Sequence, residues 1–114
     1  MEQCVRIVAR PVVDNPLEFP IYIDVVLDAN GRALGGRPYF GFQGEIEFTS
    51  GVSMPFILHP NGRLDFGERY AEPSDRFFQT DLLDIHIRKD QMVTIHGDGD
   101  YKAFFRVAAV TPCI

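Results

Sequence analysis

The sequence predicts a small all-β protein, and an antiparallel barrel is favoured over a two-sheet sandwich. Apolar and polar residues alternate along most of the chain, and no window has the i, i+3, i+4, i+7 spacing of an amphipathic helix. The alternating runs are rich in β-branched and aromatic residues, and clusters of Gly, Pro, Asn and Asp separate them. Many short strands with frequent turns are typical of sandwiches and barrels, and a barrel leaves no strand edge exposed.

The alternation predicts about eight strands in two meanders, which a longer connection over Gly67–Asp81 joins. The predicted strands are Cys4–Val12, Phe19–Asp28, Pro38–Phe48, Val52–His59, Arg63–Phe66, Leu82–Arg88, Met92–His96 and Tyr101–Val110. A chain of 114 residues has the length of one domain. We therefore expect residues 1–114 to form a single barrel-like domain.

The apolar faces of the third and fourth strands predict the loop between them. The apolar face of the third strand comprises Phe40, Phe42, Ile46 and Phe48. A three-residue loop over residues 49–51 pairs Phe48 with Val52 and Ile46 with Met54, so that apolar side chains face one another. A two-residue loop would set Phe48 opposite a serine and mismatch the faces.

The same reasoning predicts the turn after the fourth strand. A three-residue loop with Gly62 in the left-handed region pairs Leu58 with Leu64. Because Pro55 has no N–H to donate, this pairing should end near Phe66.

Two further turns complete the predicted register. Asn30-Gly31 reads as a two-residue turn that pairs Leu27 with Leu34. A three-residue loop over residues 89–91 sets Ile87 opposite Val93.

The register of the last hairpin places Asp84, His86 and His96 on one polar face, with Asp84 opposite His96. An imidazole beside a carboxylate can transfer protons in acid–base catalysis or bind a metal ion. These three residues are therefore the candidate catalytic residues. Zinc needs a further convergent ligand, and we therefore expect no metal and no cofactor. The chain contains no HExxH, GxSxG, P-loop or CxxC motif.

The last strand carries the strongest candidate for a binding surface. Phe104 lies on the face of Lys102 and Arg106, and two more apolar residues continue that face. The candidate interface or ligand-contacting residues are Phe77, Phe78, Phe104, Arg106, Ala108 and Val110. A contiguous apolar group on a strand's outer face marks an interface with a partner or a second copy. The competing explanation buries Phe104 beneath the chain's own Gly67–Asp81 connection.

These observations favour a non-catalytic binding domain that recognises a protein partner, itself as a homodimer, or a small apolar ligand at a barrel mouth. The alternative is a small hydrolase or isomerase that uses the Asp84, His86 and His96 cluster. The net charge of −5 makes the chain acidic and argues against nucleic acid as a partner. No apolar run has the length of a membrane span, so we expect no membrane association.

The N-terminus has no apolar segment of the signal-peptide type, and the expected location is cytoplasmic. Reduced thiols are then the expected state of Cys4 and Cys113. A disulfide between them can form only if the first and last strands are neighbours, and the sequence does not show whether they are.

Overall fold

A computed structural model describes residues 2–12, 19–44, 53–66, 78–97 and 101–113. In these ranges the chain forms a closed antiparallel barrel in which eight strands follow one another in sequence order. The strands are β1 (Gln3–Pro11), β2 (Ile21–Leu27), β3 (Tyr39–Gly44), β4 (Ser53–Leu58), β5 (Arg63–Asp65), β6 (Phe78–Thr80), β7 (Met92–His96) and β8 (Lys102–Pro112). The all-β barrel prediction is confirmed, and β8 closes the barrel by pairing with β1.

The interior of the barrel is a packed apolar core. Inward-facing side chains alternate with outward-facing ones along β1, β2, β7 and β8, as the sequence pattern predicts. The largest side chains that are almost completely buried are Ile7, Val25, Leu58, Phe105 and Val107.

The register between β3 and β4 differs from the predicted one. Met54 lies opposite Gln43 rather than Ile46, a shift of three residues along β3. The predicted Phe48 and Val52 pair lies outside the described residues. Because side chains alternate across a sheet, a shift by an odd number of residues exchanges the inner and outer faces of the strand.

As a result, Phe40 and Phe42 point outward from the barrel, and the exposed fraction of Phe40 is 66%. The inner positions of β3 hold Tyr39 and Gly41, which lie opposite Leu58 and Phe56. Gly41 leaves room for the Phe56 ring, because a Cβ at this position would lie 2.8 Å from its Cζ atom. The alternation of the strand did not predict these faces, because a glycine and a tyrosine occupy the inner side.

The turn between β4 and β5 matches its prediction. Leu58 is opposite Leu64, and Gly62 has a φ of 89°. β5 ends at Asp65, one residue before the predicted end of pairing. The ring of Phe66 then packs edge-on against Phe56, with the two centroids 5.4 Å apart.

The turn after β2 is one residue longer than predicted, because Leu27 lies opposite Ala33 rather than Leu34. The carboxylate of Asp28 accepts hydrogen bonds from the backbone N–H groups of Asn30 (2.8 Å) and Arg32 (3.1 Å). An aspartate at this position stabilises a longer turn by satisfying backbone donors that a two-residue hairpin would not present.

The predicted strand Leu82–Arg88 is wrong. The strand in this part of the barrel is β6, which lies within the segment predicted as a connection, and a 3₁₀ turn, Leu82–Asp84, follows it. Leu82 and Ile87 are buried, and the Ile87 N–H donates to the Gly31 carbonyl oxygen at 2.8 Å. The apolar residues of this segment therefore pack into the core from beyond the end of β6, without strand pairing.

Cys4 and Cys113 form a disulfide, contrary to the expectation of free thiols. Their Cα atoms are 5.5 Å apart, and the Cys113 N–H donates to the Cys4 carbonyl oxygen at 3.1 Å. The pairing of β1 with β8, which no local turn signals, brings the two ends of the chain together.

Candidate functional site

The barrel interior leaves no room for a ligand among the described residues. The cavity at its centre has a volume of about 10 Å³, and apolar side chains such as Ile7, Phe56 and Val93 surround it. Sites for small molecules usually measure about 300–1,000 Å³. The one buried polar group lining this cavity, the Thr80 hydroxyl, donates to the Thr94 carbonyl oxygen at 3.0 Å.

The candidate catalytic residues do not have the predicted arrangement. Gln79 rather than Asp84 lies opposite His96, while Asp84 belongs to the 3₁₀ turn and His86 to the irregular segment after it. All three side chains are exposed. Within the described ranges, no three His, Cys, Asp or Glu residues are close enough together to hold a metal ion.

A β-bulge divides the predicted interface on β8. Val8 lies opposite Ala109 and Ala9 opposite Val107, so Ala108 is an extra residue that reverses the alternation. After the bulge, Val110 is opposite Ile7 and packs against the core. Val110 therefore does not share an outer face with Phe104, and the prediction of three apolar residues on one side of the strand is wrong.

The two remaining candidates are Phe77 and Phe78, neither of which is shown beside Phe104. Phe78 is half-buried in β6, where its ring packs edge-on against Phe66 and Tyr101 at centroid distances of 5.7 and 5.5 Å. Phe77 and most of the Gly67–Asp81 connection are not among the described residues. Phe104 itself is 46% exposed among the described residues.

The neighbours of Phe104 come from both adjacent strands. On one side the Val12 N–H donates to the Phe104 carbonyl oxygen at 3.0 Å, and on the other side Thr94 lies opposite. Arg106, two residues further along β8, lies between Met92 of β7 and Arg10 of β1. We call this surface the Phe104 face, and it comprises Arg10, Val12, Met92, Lys102, Phe104 and Arg106.

The Phe104 face combines exposed apolar side chains with positive charge. Val12 is 40% exposed and Met92 is 37% exposed, beside Phe104 at 46%. The Lys102 ammonium lies 5.5 Å from the centroid of the Phe104 ring, within cation–π range. Sequence reasoning found Phe104 and Arg106 but missed Arg10 and Val12, because these come from a strand at the other end of the chain.

A second aromatic surface, of which Phe40 is the exposed member, lies on the outside of β2 and β3. We call it the Phe40 face, and it comprises Arg6, Tyr22, Asp24, Phe40 and Phe42. The Tyr22 and Phe42 rings are stacked with centroids 4.8 Å apart, and together with Phe40 they line a shallow pocket of about 80 Å³. The predicted inward orientation of Phe40 and Phe42 concealed this surface from sequence reasoning.

The charges of the Phe40 face are paired with each other. The Arg6 guanidinium donates two hydrogen bonds to the Asp24 carboxylate, at 2.8 and 3.1 Å. The hydrogen bond from Arg6 lowers the pKa of Asp24 below its ordinary value. The Phe104 face differs, because among the described residues none of its three cations has an ion-pair partner.

Comparisons with known proteins offer no relative from which to transfer a function. No family model, no curated protein and no solved structure matches the chain. Of the helical segments in the described ranges, none is long and apolar enough to cross a bilayer.

Proposed function

We propose that this barrel is a non-catalytic binding domain that recognises a protein partner through the Phe104 face. The observation that carries this proposal is a group of three exposed apolar side chains on one outer face of the barrel. Val12, which follows β1, lies beside Phe104 of β8, and Met92 of β7 is at the diagonal position, opposite Arg106. Adjacent exposed apolar groups with a polar rim are typical of interaction sites, whereas single exposed apolar residues carry no such meaning.

The closed form of the sheet supports recognition by side chains. A partner cannot extend a closed barrel by adding a strand, because every strand already has two neighbours. The filled interior also favours an external partner over a small apolar ligand held inside the barrel. A second copy of the chain remains an alternative partner for the same face.

The cytoplasmic location expected from the sequence stays a prediction. The Cys4 and Cys113 disulfide favours an oxidising compartment, where such bonds persist. Recovery of the protein from fractionated cells, followed by thiol labelling with and without a reductant, tests both the location and the oxidation state.

Affinity capture with three forms of the protein tests the proposed function. Wild type, Phe104→Asp and Phe40→Asp are immobilised, bound proteins from an extract of the producing cells are identified, and the purified partner's Kd is measured. We expect Phe104→Asp to weaken binding by about 30-fold, because removing a central aromatic anchor costs about 2 kcal/mol or more. Phe40→Asp, which charges an equally aromatic surface elsewhere, should leave the Kd unchanged.

Two controls accompany this measurement. Light scattering of wild type and Phe104→Asp detects self-association, and a dimer that is lost in the variant would make a second copy the partner. Thermal unfolding reports whether Phe104→Asp is folded. The proposal fails if wild type stays monomeric while Phe104→Asp loses much of its stability, since Phe104 would then belong to the core. It also fails if the partner binds both variants equally.

A further inference from the structure

Two arginines of like charge lie directly opposite each other on the Phe104 face. Arg10 of β1 is the register partner of Arg106 of β8, and both side chains are exposed. Like charges at directly opposed positions of an antiparallel pair destabilise the sheet. Among the described residues no carboxylate forms an ion pair with either arginine.

An apolar pair adjoins the arginine pair. Val12 follows Arg10 by two residues, Phe104 precedes Arg106 by two, and the Val12 N–H donates to the Phe104 carbonyl oxygen. Residues two apart on one face of a strand are about 6.5–7 Å apart. The face therefore carries two exposed arginines at opposed backbone positions, and the apolar pair of Val12 and Phe104 lies two residues away along the strands.

From this array we infer that the partner presents carboxylates beside an apolar side chain. This inference rests on the proposed function and specifies the chemistry of its partner. A carboxylate between Arg10 and Arg106 accepts charge-assisted hydrogen bonds from both guanidinium groups and removes their mutual repulsion. An apolar side chain about 7 Å away along the partner then covers Phe104 and Val12.

The charge of the whole chain favours a short acidic protein segment over a large polyanion. The net charge is −5, so an extended anionic surface such as DNA or an acidic membrane meets repulsion from the rest of the molecule. A segment with a few carboxylates contacts the arginine pair alone. At physiological ionic strength, charges more than about 8 Å away are largely screened from it.

Fluorescence anisotropy with labelled octapeptides tests this inference. The probe peptide is Ser-Glu-Ser-Leu-Ser-Glu-Ser-Leu, which sets glutamate and leucine two residues apart, and the matched peptide has glutamine in place of glutamate. We expect the glutamate peptide to bind wild type at least about tenfold more tightly than the glutamine peptide. Arg106→Gln should remove this preference, whereas Arg37→Gln, at an exposed position on another part of the barrel, should retain it.

Thermal unfolding without peptide distinguishes the inferred role of Arg106 from a purely structural one. The two roles predict shifts of the unfolding midpoint in opposite directions when Arg106 is replaced. Because Arg10 and Arg106 repel each other, Arg106→Gln should raise the unfolding midpoint. A lower midpoint would mean that Arg106 stabilises the barrel and would overturn the inference.

The remaining outcomes separate this inference from the proposed function. If both peptides bind equally and Phe104→Ser weakens both, the face is an apolar docking site, so the inference is overturned and the proposed function stands. If neither peptide binds, or binding is insensitive to Phe104→Ser, the inference is overturned, and the partner capture with Phe104→Asp decides the proposed function separately. Tighter binding of a DNA duplex or of phosphatidylserine vesicles, with the same dependence on Arg106, would replace the protein segment by a polyanion.

Discussion

β1 pairs with each of its neighbours, β2 and β8, over seven residues. β5, by contrast, pairs with β4 and with β6 over only two residues each. We call β8, β1 and β2 the long wall and β5 and β6 the short wall. Long backbone ladders join the strands of the long wall, and the disulfide links the start of β1 to the residue that follows β8. The contrast shows that one barrel can be closed by two different kinds of bonding.

The short wall uses side chains where the long wall uses the ladder. The Thr80 hydroxyl donates to the Thr94 carbonyl oxygen at 3.0 Å and accepts the Leu82 N–H at 3.3 Å. The Asp81 carboxylate accepts the Thr94 N–H at 2.9 Å, and the amide of Gln79 donates to the backbone of the β4–β5 turn. These bonds satisfy backbone groups that two-residue ladders leave without strand partners.

The Phe104 face is built largely on the long wall. Arg10 lies in β1, Phe104 and Arg106 lie in β8, and Val12 directly follows β1. Hydrogen bonding between β1 and β8 connects all four positions. A binding surface on well-paired strands keeps the relative positions of its side chains without help from a ligand. The short wall lacks such pairing, and its polar side chains Gln79 and Thr80 are engaged in hydrogen bonds to backbone groups.

Reduction of the disulfide should lower the unfolding free energy more than any other change considered, because it removes the covalent link of the long wall. The bridge joins residues separated by 109 positions, and opening a loop of that size should cost up to about 5 kcal/mol of unfolding free energy. Both cysteines are exposed and accessible to a reductant. Urea unfolding with and without dithiothreitol measures the loss.

The double variant Cys4→Ser with Cys113→Ser is the control. It should match the reduced wild type and be insensitive to dithiothreitol. An unfolding free energy of wild type that does not respond to the reductant would show that the ladder alone accounts for the stability of the long wall.

Gly41→Ala tests the place where the long wall meets the shorter strands, since β2 pairs with β3 over only three residues. A Cβ at Gly41 would overlap the Tyr22 carbonyl oxygen and would crowd the Phe56 ring. We expect a loss of about 1–3 kcal/mol in unfolding free energy. Gly35→Ala is the matched control, because nothing lies within 4 Å of a Cβ there, and it should be neutral or slightly stabilising. Equal effects of the two variants would argue against the observed register.

Thr80→Val tests the role of side-chain hydrogen bonding in the short wall. Valine has nearly the same shape but leaves the Leu82 N–H without its acceptor, which should cost about 1–3 kcal/mol because Thr80 is buried. The same change at exposed Thr111 of the long wall should stay within about 0.5 kcal/mol. If both substitutions have the same effect, the two walls do not differ in the way proposed.

The same contrast explains which elements the sequence could predict. Alternation identified β1, β2, β7 and β8, because inward and outward residues differ in polarity along these strands. It failed at β6, whose three residues are too few to show a period and whose bonding depends on Thr80. At β3 it assigned the wrong face, because Gly41 rather than an apolar side chain occupies the interior.

The candidate site was predictable only in part for a related reason. Phe104 and Arg106 stand out within one strand, but Arg10 and Val12 join them through the pairing of the first strand with the last. No turn connects these strands, so no loop length determines their register. The bulge that turns Val110 inward likewise has no signal in the sequence Val-Ala-Ala-Val over residues 107–110, because inner and outer residues do not differ in polarity there.

The smallest expected effect concerns the ion pair on the outside of the long wall. Asp24 accepts hydrogen bonds from Arg6, which lower its pKa, while Asp28 at the following turn has a pKa lowered by the backbone N–H groups of Arg32 and Asn30. A carboxylate with a lowered pKa in the folded state stabilises the protein above its unfolded pKa of about 3.9, and this stabilisation is lost as the pH falls through the folded pKa. Acidification from pH 5 to pH 2 should therefore destabilise wild type more than Asp24→Asn or Asp28→Asn.

Salt should distinguish the two carboxylates, because the Arg6 and Asp24 side chains are 60% and 43% exposed and their attraction is screened. Urea midpoints at pH 7 in 0.05 M and 0.5 M NaCl should show that the difference between wild type and Asp24→Asn shrinks with salt. Most of the difference for Asp28→Asn should persist, because the uncharged backbone N–H groups of Arg32 and Asn30 lower its pKa more than the charges of Arg32 and His86 do. If salt reduces both differences equally, Asp28 acts through its charge rather than through the turn, and the distinction between a surface ion pair on the long wall and a turn built by hydrogen bonds is lost.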